Sequence, residues 1–143
     1  VNVYPLFNRN IRSGTTLQAE WTDALWRTDI TSDADKASTA VRWTGDGGLI
    51  AFDNLRFSED IRALSFSTYN ISGRNVFIEV KDRNTQVTLG TADHHIYKEI
   101  NMNLTQPISK GTSSSLEIRI WNKDWDVPAL GEVLLDKVTF LEQ

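Results

Sequence analysis

Residues 76–81, Val-Phe-Ile-Glu-Val-Lys, and 116–121, Leu-Glu-Ile-Arg-Ile-Trp, alternate aliphatic side chains with polar or aromatic ones at a period of two. Successive side chains of a strand point to opposite faces, so Val76, Ile78 and Val80, like Leu116, Ile118 and Ile120, define one buried face each. The pattern predicts two half-buried strands. A less regular alternation runs through 40–44, 49–53, 63–69, 85–89, 97–104 and 133–141, with turn residues between, such as Gly45-Asp46-Gly47-Gly48 and Ile71-Ser72-Gly73. That makes about eight or nine strands. No 3.6-residue pattern is sustained, and only 53–60 offers room for a helical turn. Short, evenly spaced strands without crossover helices predict an all-β fold, a two-sheet antiparallel β-sandwich of the jelly-roll kind.

The rest of the composition fits one domain spanning 1–143. A chain of 143 residues buries ~68–70 % of the surface its unfolded form exposes and needs neither disulfides nor zinc to fold. Fifteen Lys and Arg against nineteen Asp and Glu give a net charge of −4, which argues against a nucleic-acid partner whose affinity rests on neutralising phosphates. No 18-residue apolar stretch exists to cross a bilayer, so a soluble chain without a membrane partner is expected. The chain begins at Val1 without a leader-like segment and is expected to be a processed protein or a module of a longer one. It has no cysteine, which excludes thiolate catalysis and cysteine-ligated metal. Two glycosylation sequons start at Asn70 and Asn103; they matter only in a secreted eukaryotic protein.

The side chains opposite the aliphatic ones are the informative set. On 76–81 they are Phe77, Glu79 and Lys81; on 116–121 they are Glu117, Arg119 and Trp121; and if Leu64 and Phe66 point inward, Ser65, Ser67 and Tyr69 point out. A face mixing Trp, Tyr and Phe with Glu and Arg is neither a core nor an ordinary solvated surface. It suits a ligand that is partly apolar and partly hydroxylated, as a sugar is: the C–H face of a pyranose packs on an aromatic ring while its hydroxyls need donors and acceptors at the edge. The bland alternative is that these aromatics only cover the sheet beneath a loop. Five Trp are present. Trp43 shares a face with Val41 and is expected in the core. Trp21 and Trp26 lie in a polar segment and either fold over a sheet edge or stand at a binding surface. Trp125, in the charged stretch Asn122-Lys123-Asp124-Trp125-Asp126 just after Trp121, is the foremost candidate for ligand contact, because binding residues concentrate on loops held by a rigid scaffold.

Three stretches together resemble jelly-roll carbohydrate-binding modules of the kind appended to plant cell-wall-degrading enzymes. They are FNRNIRSGTTLQAEWTD (7–23), ASTAVRWTGDGGLIAF (37–52) and IRIWNKDWDVPALGEVLLDKVTFLE (118–142). The resemblance implies an extracellular, secreted and non-catalytic module, expected to be a monomer, that binds a β-linked cell-wall polysaccharide such as a β-glucan or hemicellulose. It also implies a glycoside hydrolase as appended or neighbouring partner. Stacking is expected on Trp125 and Trp121, hydrogen bonding from Tyr69, Glu79, Glu117 and Arg119, with Trp21 or Trp26 closing one end. By position Asp136 matches a residue that ligates a structural calcium in many such modules; Glu20 is the substitute for the second acid, which the N-terminal strand lacks. A carboxylate in the otherwise apolar 133–141 needs a cation, hydrogen bonds or solvent.

Two other classes stay open. A jelly-roll glycoside hydrolase would need two carboxylates facing across a cleft, and Glu79 and Glu117 meet that requirement only if their strands are neighbours. A polysaccharide lyase would use a Tyr or His base with a cation, and His95, Tyr97 and Arg119 supply those groups. The adjacent His94 and His95 point to opposite faces of a strand and do not easily share one metal. The second class is a protein-interaction sandwich that uses the aromatic face as an interface.

Overall fold

The computed structural model describes residues 9–26, 28–33, 38–44, 47–70, 76–94, 99–122 and 132–142. Among them are twelve strands: β1 (Arg9–Ile11), β2 (Thr16–Gln18), β3 (Ala24–Trp26), β4 (Thr28–Asp33), β5 (Ser38–Thr44), β6 (Gly47–Phe57), β7 (Ile61–Asn70), β8 (Val76–Asp82), β9 (Thr88–His94), β10 (Ile100–Ile108), β11 (Ser113–Asn122) and β12 (Glu132–Leu141). Among the described residues a 3-10 turn, Ala19–Trp21, follows β2. The first sheet has the order β1-β6-β11-β8-β9, with β3 also on β6; the second has β10-β7-β12-β5-β4, with β2 also on β12. The expected all-β, two-sheet sandwich is what forms. Every pairing is antiparallel except β1 with β6, which is parallel.

The alternating stretches become β8 and β11, paired side by side with Ile118 opposite Val80 and Ile120 opposite Ile78. The expected helical turn in 53–60 does not exist: β6 runs to Phe57 and is followed by a bend. A β-bulge explains why that stretch breaks the period of two. Between the pairs Ser114–Leu55 and Leu116–Phe52, β6 carries one more residue than β11, and Asn54 takes a left-handed φ of 57°, a conformation that Asn tolerates better than most residues. The phase flips there, so Ile50 and Phe52 before the bulge and Leu55 and Phe57 after it are all fully buried. β12 repeats the device: Leu135 pairs with Thr68 and Lys137 with Ser67. Asp136 is therefore the extra residue, and Leu135 and Val138 on either side of it both reach the core.

The strands expected at 85–89 and 97–104 begin later, at Thr88 and Ile100. Residues 82–86 form the β8–β9 turn instead: Asp82 Oδ1 accepts from the amides of Asn84 (2.9 Å) and Thr85 (3.2 Å), and the Gln86 amide donates to the Asp82 carbonyl (2.7 Å). A carboxylate that captures amides two and three residues on competes with the strand ladder and ends it. Between the sheets lies one core, whose largest fully buried side chains include Phe52, Phe57, Phe66, Phe140, Ile50, Leu64 and Leu135. Phe57 of the first sheet and Phe140 of the second meet edge to face, ring centres 6.0 Å apart at 68°.

Candidate functional site

Residues directly opposite each other on paired strands share a face. With Ile50, Ile78, Ile118 and Ile120 committed to the core, the register of the first sheet assembles the other face in rows. One row reads Gly47, Trp121, Phe77, Asp93; the next reads Trp26, Leu49, Arg119, Glu79, Thr91; a third reads Ala24, Ala51, Glu117, Lys81. Trp121, Arg119, Glu117, Glu79 and Trp26, expected to act together, are thus brought onto one surface from three strands, β3, β8 and β11. Trp26 and Trp121 stand two strand spacings and one row apart, roughly 12 Å, and Phe77 lies beside Trp121 in its own row.

Trp121 lies over Gly47. A Cβ at that glycine would fall 2.4 Å from Trp121 Cε3 and 3.0 Å from Cζ3, so the six-membered part of the indole occupies the space a side chain there would fill. The Arg119 guanidinium carbon is 5.7 Å from the Trp121 ring centre, and its Nε donates to Glu117 Oε2 at 3.0 Å. Glu117 is buried, 6 % exposed, and is compensated by Arg119 together with Arg83, whose Nε is 3.9 Å from Oε1. Glu79 Oε2 accepts from the Thr88 hydroxyl at 2.8 Å. The surface therefore grades from aromatic at one end of the strands to ionic in the middle. Both carboxylates have protein donors, and Arg119 stands directly opposite Glu79.

The edge beside β6 is held by a polar clasp. Arg9 Nη2 donates to Asp23 Oδ1 (2.9 Å), Asp23 Oδ2 accepts from the Asp53 amide (2.7 Å), and the Thr22 hydroxyl accepts from the Ala51 amide (3.1 Å). This clasp seats β3 and leaves Trp26 45 % and Trp21 55 % exposed. Trp26 joins the second row. Trp21 stays in the 3-10 turn at the sheet edge, outside the rows.

Tyr69 departs from expectation. Its backbone lies in β7 of the second sheet, opposite Leu134, so it is not on the surface that carries Trp121; alternation within one strand does not say which sheet the strand joins. Ser65, set between the core residues Leu64 and Phe66, faces the other side of β7 but is covered, its hydroxyl donating to Glu99 Oε1 at 2.9 Å. The side chains of Tyr69, Trp43 and Glu20 lie outside what is described, as do residues Trp125, His95 and Tyr97 altogether. The connections that carry Trp125 and His95 leave from the Trp121 end of the first sheet, where Asn122 pairs with Val76 and Val76 with His94.

Asp136 sits at the β12 bulge, and its Oδ1 is buried without a hydrogen-bond partner. β2 pairs Gln18 with Lys137 next to it, so the 3-10 turn holding Glu20 begins alongside. Among the described residues no group of three or more His, Cys, Asp or Glu side chains gathers at one point. Sequence reading missed Gly47, Arg83 and Gln86. No local signal marked them: strand pairing alone sets Gly47 opposite Trp121, and only the turn geometry reveals the other two.

No family model and no curated protein sequence matches the chain. Solved structures do. A CBM6 module of Clostridium stercorarium, in complex with cellobiose, superimposes with a TM-score of 0.72 at 15% identity, over 96% of this chain and 98% of that one. A β-1,3-glucan-binding CBM6 of Bacillus halodurans gives 0.71 at 15% identity, over 94% and 98%. A glycoside hydrolase family 43 arabinoxylan arabinofuranohydrolase of Bacillus subtilis, in complex with cellotetraose, gives 0.73 at 17% identity, over 96% of this chain but 28% of the enzyme. The chain has the two-sheet β-sandwich fold of these carbohydrate-binding modules.

Proposed function

We propose that this chain is a non-catalytic carbohydrate-binding module that takes a neutral β-linked glycan, a β-glucan or hemicellulose, on the outer face of the first sheet. The observation that carries the reading is the row structure: Trp26, Trp121 and Phe77 supply apolar platforms, and Arg119, Glu79 and Glu117 supply hydrogen bonds beside them on the same surface. A pyranose needs both. The fold-mates support the same reading, since their names record cellobiose and β-1,3-glucan as ligands. The hydrolase with a similar portion supports a glycoside hydrolase as the chain's partner, and with it an extracellular site of action. Glu79 and Glu117 act here as hydrogen-bond acceptors rather than as an acid and base pair, because protein donors already engage both. The chain acts as a monomer.

The test is affinity gel electrophoresis of the wild-type protein against laminarin, hydroxyethylcellulose and xylan, with reducing-sugar release assayed on each. Retardation by at least one of them without sugar release is expected. Sugar release would convert the module into an enzyme. A concentration-dependent mass with no response to any glycan would move the aromatic face to a protein partner.

We further propose that Asp136 holds a structural calcium ion with backbone carbonyls of the adjacent 3-10 turn and Glu20. The orphaned Oδ1 supports this, because a buried carboxylate oxygen without a donor is costly and a cation satisfies it. Calcium that binds only the folded state raises the melting temperature as its concentration exceeds Kd, by about 2.7 kcal/mol of stability at a hundredfold excess. Added calcium should therefore raise Tm and a chelator lower it, and Asp136→Ala should remove the difference. An identical Tm with calcium and with chelator would refute the proposal.

A further inference from the structure

Gln86 closes the β8–β9 turn with a φ of 61°, a left-handed conformation usually served by Gly or Asn. A glutamine at such a position bears backbone strain, and strain of this kind concentrates where a side chain must be aimed. Its amide reaches back over the outer face of the first sheet. Nε2 donates to the Arg83 carbonyl at 3.0 Å and to Glu117 Oε1 at 3.4 Å, and Oε1 accepts from Arg119 Nη2 at 3.5 Å. The last two are at the long limit of hydrogen bonding, so a ligand hydroxyl can replace them at little loss. The first contact is local and keeps the side chain turned inward while those two exchange. Gln86 is exposed, whereas Glu117 beneath it is buried. The charges around it are already matched: Glu117 faces Arg119, and Arg83 Nη1 is 3.6 Å from Asp53 Oδ1.

We infer that Gln86 is a specificity-determining residue of this surface, its carboxamide reading adjacent hydroxyls of a neutral glycan together with the Arg119 guanidinium. This rests on the glycan-binding reading of the same face. A hydroxyl donates to Oε1 and accepts from Nε2, and its neighbour on the ring accepts from Arg119, so the pair selects vicinal hydroxyls. A uronate brings a carboxylate toward Glu117 and Glu79 and is disfavoured.

Calorimetric titration with laminarin, hydroxyethylcellulose, xylan and, as the anionic control, polygalacturonate tests this on wild type, Gln86→Gly and Gln86→Leu. Gln86→Gly should melt at or above the wild-type temperature, because glycine relieves the positive φ, while Kd for the neutral glycan that the wild type binds rises about tenfold. Gln86→Leu should show the same loss. A residue that only shaped the turn would leave Kd unchanged in Gln86→Gly. Wild-type affinity in both variants overturns the inference alone, and so does polygalacturonate bound as tightly as a neutral glycan. A wild type that binds none of the neutral glycans overturns the proposed function and this inference with it.

Discussion

Trp121→Ala is expected to weaken glycan binding by roughly 10- to 100-fold, the loss of one aromatic platform and the apolar area it covers, while the protein stays folded. Trp121 is only half-buried, and the buried aliphatic residues of β11, Leu116, Ile118 and Ile120, lie on its other face. Gly47→Ala should reach the same loss without removing the indole. The new Cβ would lie 2.4 Å from Trp121 Cε3 and 2.9 Å from the Ile120 carbonyl oxygen; the first contact drives the ring from its seat, and the second, made to backbone, forces the strand to shift as well. The stability cost of such crowding is ~1–3 kcal/mol. Calorimetric titration with the glycan retained by the wild type, alongside thermal melts, separates the two effects. Wild-type affinity in both variants would remove Trp121 from the site.

Phe140→Ala is expected to destabilise the fold by ~3–5 kcal/mol, the range for emptying a fully buried aromatic site. For a chain of this size that lowers Tm by roughly 10 °C or more. Phe140 is 1 % exposed and meets Phe57 across the sandwich, so its removal leaves a cavity between the sheets rather than at an edge. Chemical denaturation read by intrinsic fluorescence measures the change. Affinity measured well below the new Tm should be unaltered, since no part of the outer face touches this ring. A loss under 1 kcal/mol would mean that the two sheets close over the gap.

The candidate face was largely legible in the sequence. Phe77, Glu79 and Lys81, like Glu117, Arg119 and Trp121, are assigned to one side of their strands by alternation alone, because side chains of a strand have no other choice. Bulges obscured part of the pattern: with Asn54 and Asp136 inserted, Leu55 and Phe57, or Val138 and Phe140, fall out of phase with the residues before them. A period-two reading sees there a broken strand or a helical turn. Asp136 looked misplaced in an apolar stretch for the same reason; as the extra residue of a bulge it belongs to neither regular face.

Alternation, turn residues and the absence of any helical period determined by themselves that this chain is an all-β sandwich, which side chains of each clean strand face out, and that aromatic and ionic groups share those faces. These are local properties, set by backbone geometry within a few residues. Which strands become neighbours is a long-range choice made by the packing of two sheets on one core. Only that choice placed β8 against β11 and β3 beside β6, which unites Trp26 with Arg119, and put Tyr69 in the opposite sheet. It also set Gly47 beneath Trp121 and swung Gln86 over Glu117; these contacts join residues far apart in the chain, and no local pattern encodes them.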